Sequence, residues 1–204
     1  MKKRRKKVVV ILIIILLLLL LGFIVYKFVF DKEEKIKVLD SLDKYGYYLE
    51  DRDTELYKSN FEELKSILKK KDINYESYAK SISKLFVIDL FTLNNKVSKY
   101  DIGGADFVYE DNVDNYKLNV QDTLYKIIEN NVNGKRKQKL PEVKSITVDK
   151  VEETKFKIGE EEFDAYKINL NWDYKADYDY DNEAQIIVVR KDKKVFIAEY
   201  SSEE

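Results

Sequence analysis

The chain has no His and no Cys in 204 residues. Without Cys there are no disulfides, thiol nucleophiles or thiolate ligands. Without His there is no imidazole base, no triad built on one and no usual zinc site. Pro occurs once, at Pro141, and Gly only six times, so each marks a rare break in the backbone pattern. Net charge is nearly absent too, −1 from 37 Lys+Arg and 38 Asp+Glu. That balance conceals two unequal parts. Lys2, Lys3, Arg4, Arg5, Lys6 and Lys7 are consecutive, and Lys27 is the only other charge before Asp31. Setting those seven cations aside leaves 30 against all 38 acids, a net of −8 from Asp31 onward. The chain from there to Glu204 is long enough for one domain with its own core and too short for two.

What is present begins with an apolar run. Val8 to Val25 holds only Val, Ile, Leu, Phe and Gly22. At about 1.5 Å per helical residue the run covers roughly 27 Å, close to the hydrocarbon thickness of a bilayer. A helix satisfies its own backbone hydrogen bonds in lipid, Tyr26 sits at interface level, and Lys27 extends its ammonium outward. A cleaved signal peptide has a shorter apolar core and a small-residue cleavage site, whereas Phe23 to Phe30 offers none. The expectation is therefore a single-pass signal-anchor over 8–30, preceded by a basic tail, 1–7. The six cations place the amino terminus in the cytoplasm and the rest of the chain outside the membrane. Their partner is the anionic lipid surface rather than nucleic acid, because they lie flush against the span with no aromatic residue for base stacking.

Beyond the span, hydrophobic periodicity divides one outer domain into a helical half, 31–140, and a strand half, 141–204. Ile36, Leu39 and Leu42 predict a helix over Asp31–Lys44, followed by an extended segment at Tyr45–Leu49. Thr54 is an N-cap for a helix carrying Leu56, Phe61, Leu64 and Leu68. The longest helix is predicted from Asn74 to Lys99, and a further one over Val113–Asn131. After Pro141 the period becomes two. Tyr166, Ile168, Leu170, Trp172 and Tyr174 share one strand face, with Lys167, Asn169, Asn171 and Asp173 on the other. Ile146–Ile158 is its partner across Gly159–Glu161, with a bulge near Val151. Glu183–Arg190 and Lys194–Tyr200 form a second hairpin. The fold class is α+β, with helices packed on an antiparallel sheet of about four strands.

This order of elements, one span, then helices, then a sheet ending Ala184-Gln185-Ile186-Ile187-Val188-Val189 and Val195-Phe196-Ile197-Ala198-Glu199-Tyr200, resembles a membrane-tethered member of the nuclear transport factor 2-like superfamily. The resemblance covers Ile36–Tyr200. It implies helices packed on one antiparallel sheet, in a superfamily that includes enzymes, ligand binders and assembly scaffolds of secretion machinery.

Chemistry-bearing patterns are few. Asp173, Asp177, Asp179, Asp181, Asn182 and Glu183 place acids at alternate positions. A calcium loop starting at Asp177 would have Asn182 where Gly is needed and Val188 where Glu is needed, so these acids read as a solvated loop. Asp89, between Ile88 and Leu90, is an acid in apolar surroundings without a visible partner for acid–base work. No catalytic residue, cofactor site or metal site is assigned. Aromatic residues make up 13% of the chain, and Tyr and Trp suit both cores and interfaces. Tyr166, Trp172 and Tyr174 are accordingly the candidate face for a ligand or protein partner. The expected function is a non-enzymatic membrane-tethered adaptor or scaffold subunit that binds a protein partner. The alternative is a module that binds a small ligand or a cell-wall component in a pocket between helices and sheet.

Overall fold

The computed structural model describes residues 14–22, 36–176 and 178–202. The chain separates into two units, one of residues 1–35 with 131–136, the other of 36–130 with 137–204. In the first, residues 14–22 form helix α1 with every side chain exposed. At its other segment, the Gly134 N–H donates to Asn131 O at 2.8 Å. Among the described residues no helix is long and apolar enough to cross a membrane. The rest of the Val8–Val25 run, and the basic residues Lys2, Lys3, Arg4, Arg5, Lys6 and Lys7, lie outside the described residues.

The second unit opens with strand β1 (Val38–Leu42) paired antiparallel to β2 (Tyr47–Glu50). This corrects the expected helix over Asp31–Lys44, of which 31–35 lie outside the described residues. Gly46, at φ 70°, closes the turn, and the Tyr45 and Gly46 N–H groups both donate to Leu42 O, at 2.7 and 3.0 Å. The hairpin is then held by tertiary packing that the local 3-residue spacing does not register. Tyr47 is fully buried, its hydroxyl 2.8 Å from that of Tyr78.

Helix α2 (Glu55–Leu68) starts where the sequence places it, the Thr54 hydroxyl accepting the Tyr57 N–H at 3.2 Å. Helix α3 (Tyr75–Phe91) is capped by Asn74, whose side chain accepts the Ser77 N–H at 2.8 Å. It stops eight residues short of the expected Lys99. The Leu93 and Asn94 N–H groups instead donate to Pro141 O, at 3.0 and 3.1 Å, which pulls the chain out of helical register. Helix α4 (Val113–Asp122) likewise ends before Asn131, because Tyr125 turns inward to complete burial and donates its hydroxyl hydrogen to Leu90 O at 2.8 Å.

The sheet is a four-stranded antiparallel meander in the order β3 (Val143–Ile158), β4 (Glu161–Tyr174), β5 (Glu183–Lys191), β6 (Lys194–Ser201). The α+β class, with helices packed against four antiparallel strands, is therefore as the periodicity predicts. The bulge lies between Val148 and Lys150, close to its expected place. Tight turns at Gly159 (φ 62°) and Asp192 (φ 56°) join the hairpins. One sheet face packs on α3 through Ile168, Leu170, Ile186, Val188, Val195 and Ile197. The other carries a smaller cluster of Ala165, Ile187 and Val189 under Tyr109, Phe163 and Phe196.

Trp172 belongs to the first face and is 2% exposed, its ring centroid 4.9 Å from that of Phe91. A Trp172→Ala variant should lose about 3–5 kcal/mol of stability in urea unfolding followed by circular dichroism. A loss below about 1 kcal/mol would show that the indole is not part of the core.

Candidate functional site

The candidate face read from β4 is part covered and part open, with Trp172 buried and Tyr166 and Tyr174 half-buried. Alternation puts Tyr166, Trp172 and Tyr174 on one side, but α3 covers the middle of that side. Trp172 is sealed against Phe91. Tyr174 is half-buried and donates its hydroxyl hydrogen to Asp181 O at 2.6 Å. Tyr166 is also half-buried and borders a separate polar depression with Glu153, Lys155 and Arg190. The face is the domain's own core-facing side, so the three aromatics are not brought together for a partner. Period-two alternation reports which residues share a face but not whether a helix lies on it.

Two other recesses are built by the helices. The first is a polar pocket of about 300 Å³ around the end of α3. Arg52 bridges Glu50, at 2.6 Å, and Asp101. Asp101 also accepts the Val97 N–H at 2.8 Å. Asp89 pairs with Lys96, which is 2% exposed, and accepts the Gly104 N–H at 2.6 Å. The acid that the sequence left without a partner is therefore satisfied by a buried lysine seven residues on. The glycine pair is required by close approach as much as by turning. A Cβ at Gly103 would stand 2.2 Å from Asp89 O, and one at Gly104 would meet the Tyr116 hydroxyl at 2.7 Å and the Phe86 ring at 2.8 Å.

Burial is the main influence on the carboxyls here. It pushes Asp53 up to about 6, its hydrogen bond from the Glu50 N–H only partly opposing that, and it raises Asp106 as well. Burial also acts upward on Asp101, but the Arg52 hydrogen bond and the nearby Lys96 and Arg52 charges outweigh it and leave that carboxyl below its ordinary value. Glu50, Arg52 and Asp101, and Asp89 and Lys96, are committed to one another in half-buried ion pairs that shape the loop.

The second recess is a groove of about 600 Å³ between α3, α4 and the outer edge of β6. Phe86, Leu90 and Phe91 of α3 with Val120 and Leu124 form its apolar wall. Asn112, Asn115, Asn119 and Thr123 line its rim at the 3–4 spacing of one helix face. Four successive β6 residues, Ile197 to Tyr200, border it. Side chains alternate between sheet faces, so a recess touching all four runs along the strand's edge. Sequence reasoning missed this groove, although the Asn-x-x-Asn-x-x-x-Asn-x-x-x-Thr spacing on an otherwise ordinary helix was a visible signal.

Among the described residues no group of three acidic side chains is arranged to hold a metal ion. Asp177, the first residue of the candidate calcium loop, lies outside them. No protein-family model, curated protein or solved structure matches the chain.

Asp53 supplies a titration test. A carboxyl raised from 3.8 to about 6 on folding keeps its proton in the folded state after the unfolded chain has lost it. Stability therefore falls as pH rises from about 4 to about 6 and levels off above that. Asp53→Asn keeps an acceptor for the Glu50 N–H without the charge. It should stabilise the protein by about 1 kcal/mol at pH 7.5, with the gain fading toward pH 4. A gain independent of pH in thermal melts would contradict a raised Asp53.

Proposed function

We infer that the chain is a non-enzymatic, single-pass membrane protein whose outer domain works as a tethered adaptor or scaffold subunit, binding a protein partner outside the membrane. The observation that carries this reading is the groove between α3, α4 and β6, an apolar wall with an amide rim open along a strand edge. Such a combination of apolar floor and adaptable polar rim is the ordinary chemistry of a protein interface. The apolar run Val8–Val25 behind six cations supports the membrane anchor and a cytoplasmic amino terminus. The order of helices and meander supports a fold of the nuclear transport factor 2-like kind, in which scaffolds of secretion machinery occur beside ligand binders and enzymes. Fold likeness does not choose among those roles; the groove supports the binding of a partner.

A second reading has its own support. A recess of about 600 Å³ falls within the range of small-molecule pockets, so the same groove suits an apolar ligand or a wall component. Phe91 lines the groove and packs against Trp172 with its ring tilted, which makes the single indole a reporter of occupancy one layer behind the wall.

The test is photo-crosslinking in intact cells with a photoreactive residue at Asn119, compared with one at Lys157 on the remote β3–β4 hairpin. One protein joined through Asn119 and absent from Lys157 is the expected outcome. Crosslinks of equal strength at both positions, or none, would overturn the adaptor reading. An indole emission shift on adding membrane or wall extract, with no crosslinked protein, would favour the ligand module instead.

A further inference from the structure

The two edges of the sheet are unlike. The outer edge of β3 carries Lys144, Lys150, Lys155 and Lys157 along a strand with a bulge, and Lys150 is paired with Glu152 at 2.5 Å while Lys155 is paired with Asp164. Lysines along an edge are a usual means of discouraging another strand from adding to it. The edge of β6 is treated differently. Its first part is taken by the chain itself: Val108 forms a parallel bridge with Ile197, and the Tyr109 N–H donates to Ile197 O at 2.9 Å. A register shift follows Ile197. From there to Ser201 no further strand among the described residues lies on that side, and this remaining edge borders the groove as far as Tyr200.

We propose that the groove receives an extended, cationic peptide segment of a partner protein, added as a strand along β6 beyond Ile197 in continuation of the bridge begun by Val108 and Tyr109. This rests on the adaptor reading and specifies how its partner is held. The open edge from Ile197 to Ser201 is roughly 13 Å long, enough for about four added residues. Its backbone supplies the ladder of hydrogen bonds that strand addition uses. Across the groove, Asn115 and Asn119 are exposed on α4, and a carboxamide offers both donor and acceptor to a peptide's outward backbone groups. Alternate peptide side chains then meet the apolar wall. Charge sets the sign of the occupant: among the described residues Asp181 and Glu199 border the groove, and no Lys or Arg does. They stand at the Tyr200 end, so the cation of the peptide belongs there.

Selection of a displayed random nonapeptide library on the full-length protein in lipid nanodiscs tests the proposal. Counter-selection uses the Asn115→Lys, Asn119→Lys double variant, whose exposed substitutions add cations to the rim without touching the core. The expected result is peptides with apolar residues at alternate positions and Lys or Arg at one end. Their affinity should fall at least tenfold when alternate backbone amides are N-methylated, and at least tenfold against Glu199→Lys, with melting temperatures of the variants unchanged. Three results overturn strand addition. They are no enrichment over the double variant, binding that tolerates N-methylation, and crosslinks from Glu199 that join two copies of this chain. A partner captured through Asn119 in cells beside an empty library would leave the adaptor standing and remove the strand mode. Peptides that bind beside an Asn119 that captures nothing would remove the adaptor and keep the edge site.

Discussion

The domain depends on how the end of α3 is held. That helix lies between α2 and the sheet, so it is buried on more than one side, with Ile82, Leu85, Val87 and Ile88 all shielded from solvent. A helix buried on both sides cannot leave its last carbonyls or a charged side chain to water. Asp89 is therefore matched by Lys96 and the Gly104 N–H, and the Leu90 carbonyl by the Tyr125 hydroxyl. These bonds fold residues 93–109 back over the helix end, with no room for a Cβ at Gly103 or Gly104. The returning chain delivers Tyr109 to Ile197 and starts α4 at Val113. The groove is the space left between these commitments.

The same logic separates the two recesses. In the polar pocket, Lys96 is buried and Arg52, Asp101 and Asp89 are half-buried, and their pairing with one another goes into holding the chain. Along β6 the polar groups are amides and main-chain edges, which can remain solvated until a partner arrives and then exchange water for a ladder of hydrogen bonds. A recess whose bonds are already spent on structure and one whose bonds are still open are physically different things, though both are concave. That difference, rather than size, points to the groove.

Much of the domain was determined by the sequence alone. Thr54 and Asn74 before 3–4 patterns mark two helix starts, and the period-two run Tyr166–Tyr174 between turn signals marks the sheet, because caps and alternation act within a few residues. The acidic balance beyond Phe30 and the missing His and Cys are likewise properties of composition. Other features were decided only by residues far apart in the chain. The stretch Val38–Leu42 became a strand because Tyr47 is buried on Tyr78. Helix α3 stopped at Phe91 because Pro141 captured the Leu93 and Asn94 N–H groups. Trp172, whose spacing fits an exposed face as well as a core, became core because α3 lies over it. The groove, finally, belongs to no segment: it needs α3, α4 and the unpaired edge of β6 at once. Periodicity assigns a residue to a side of its own strand or helix, and only the packing of a second element determines whether that side is buried or open to a partner.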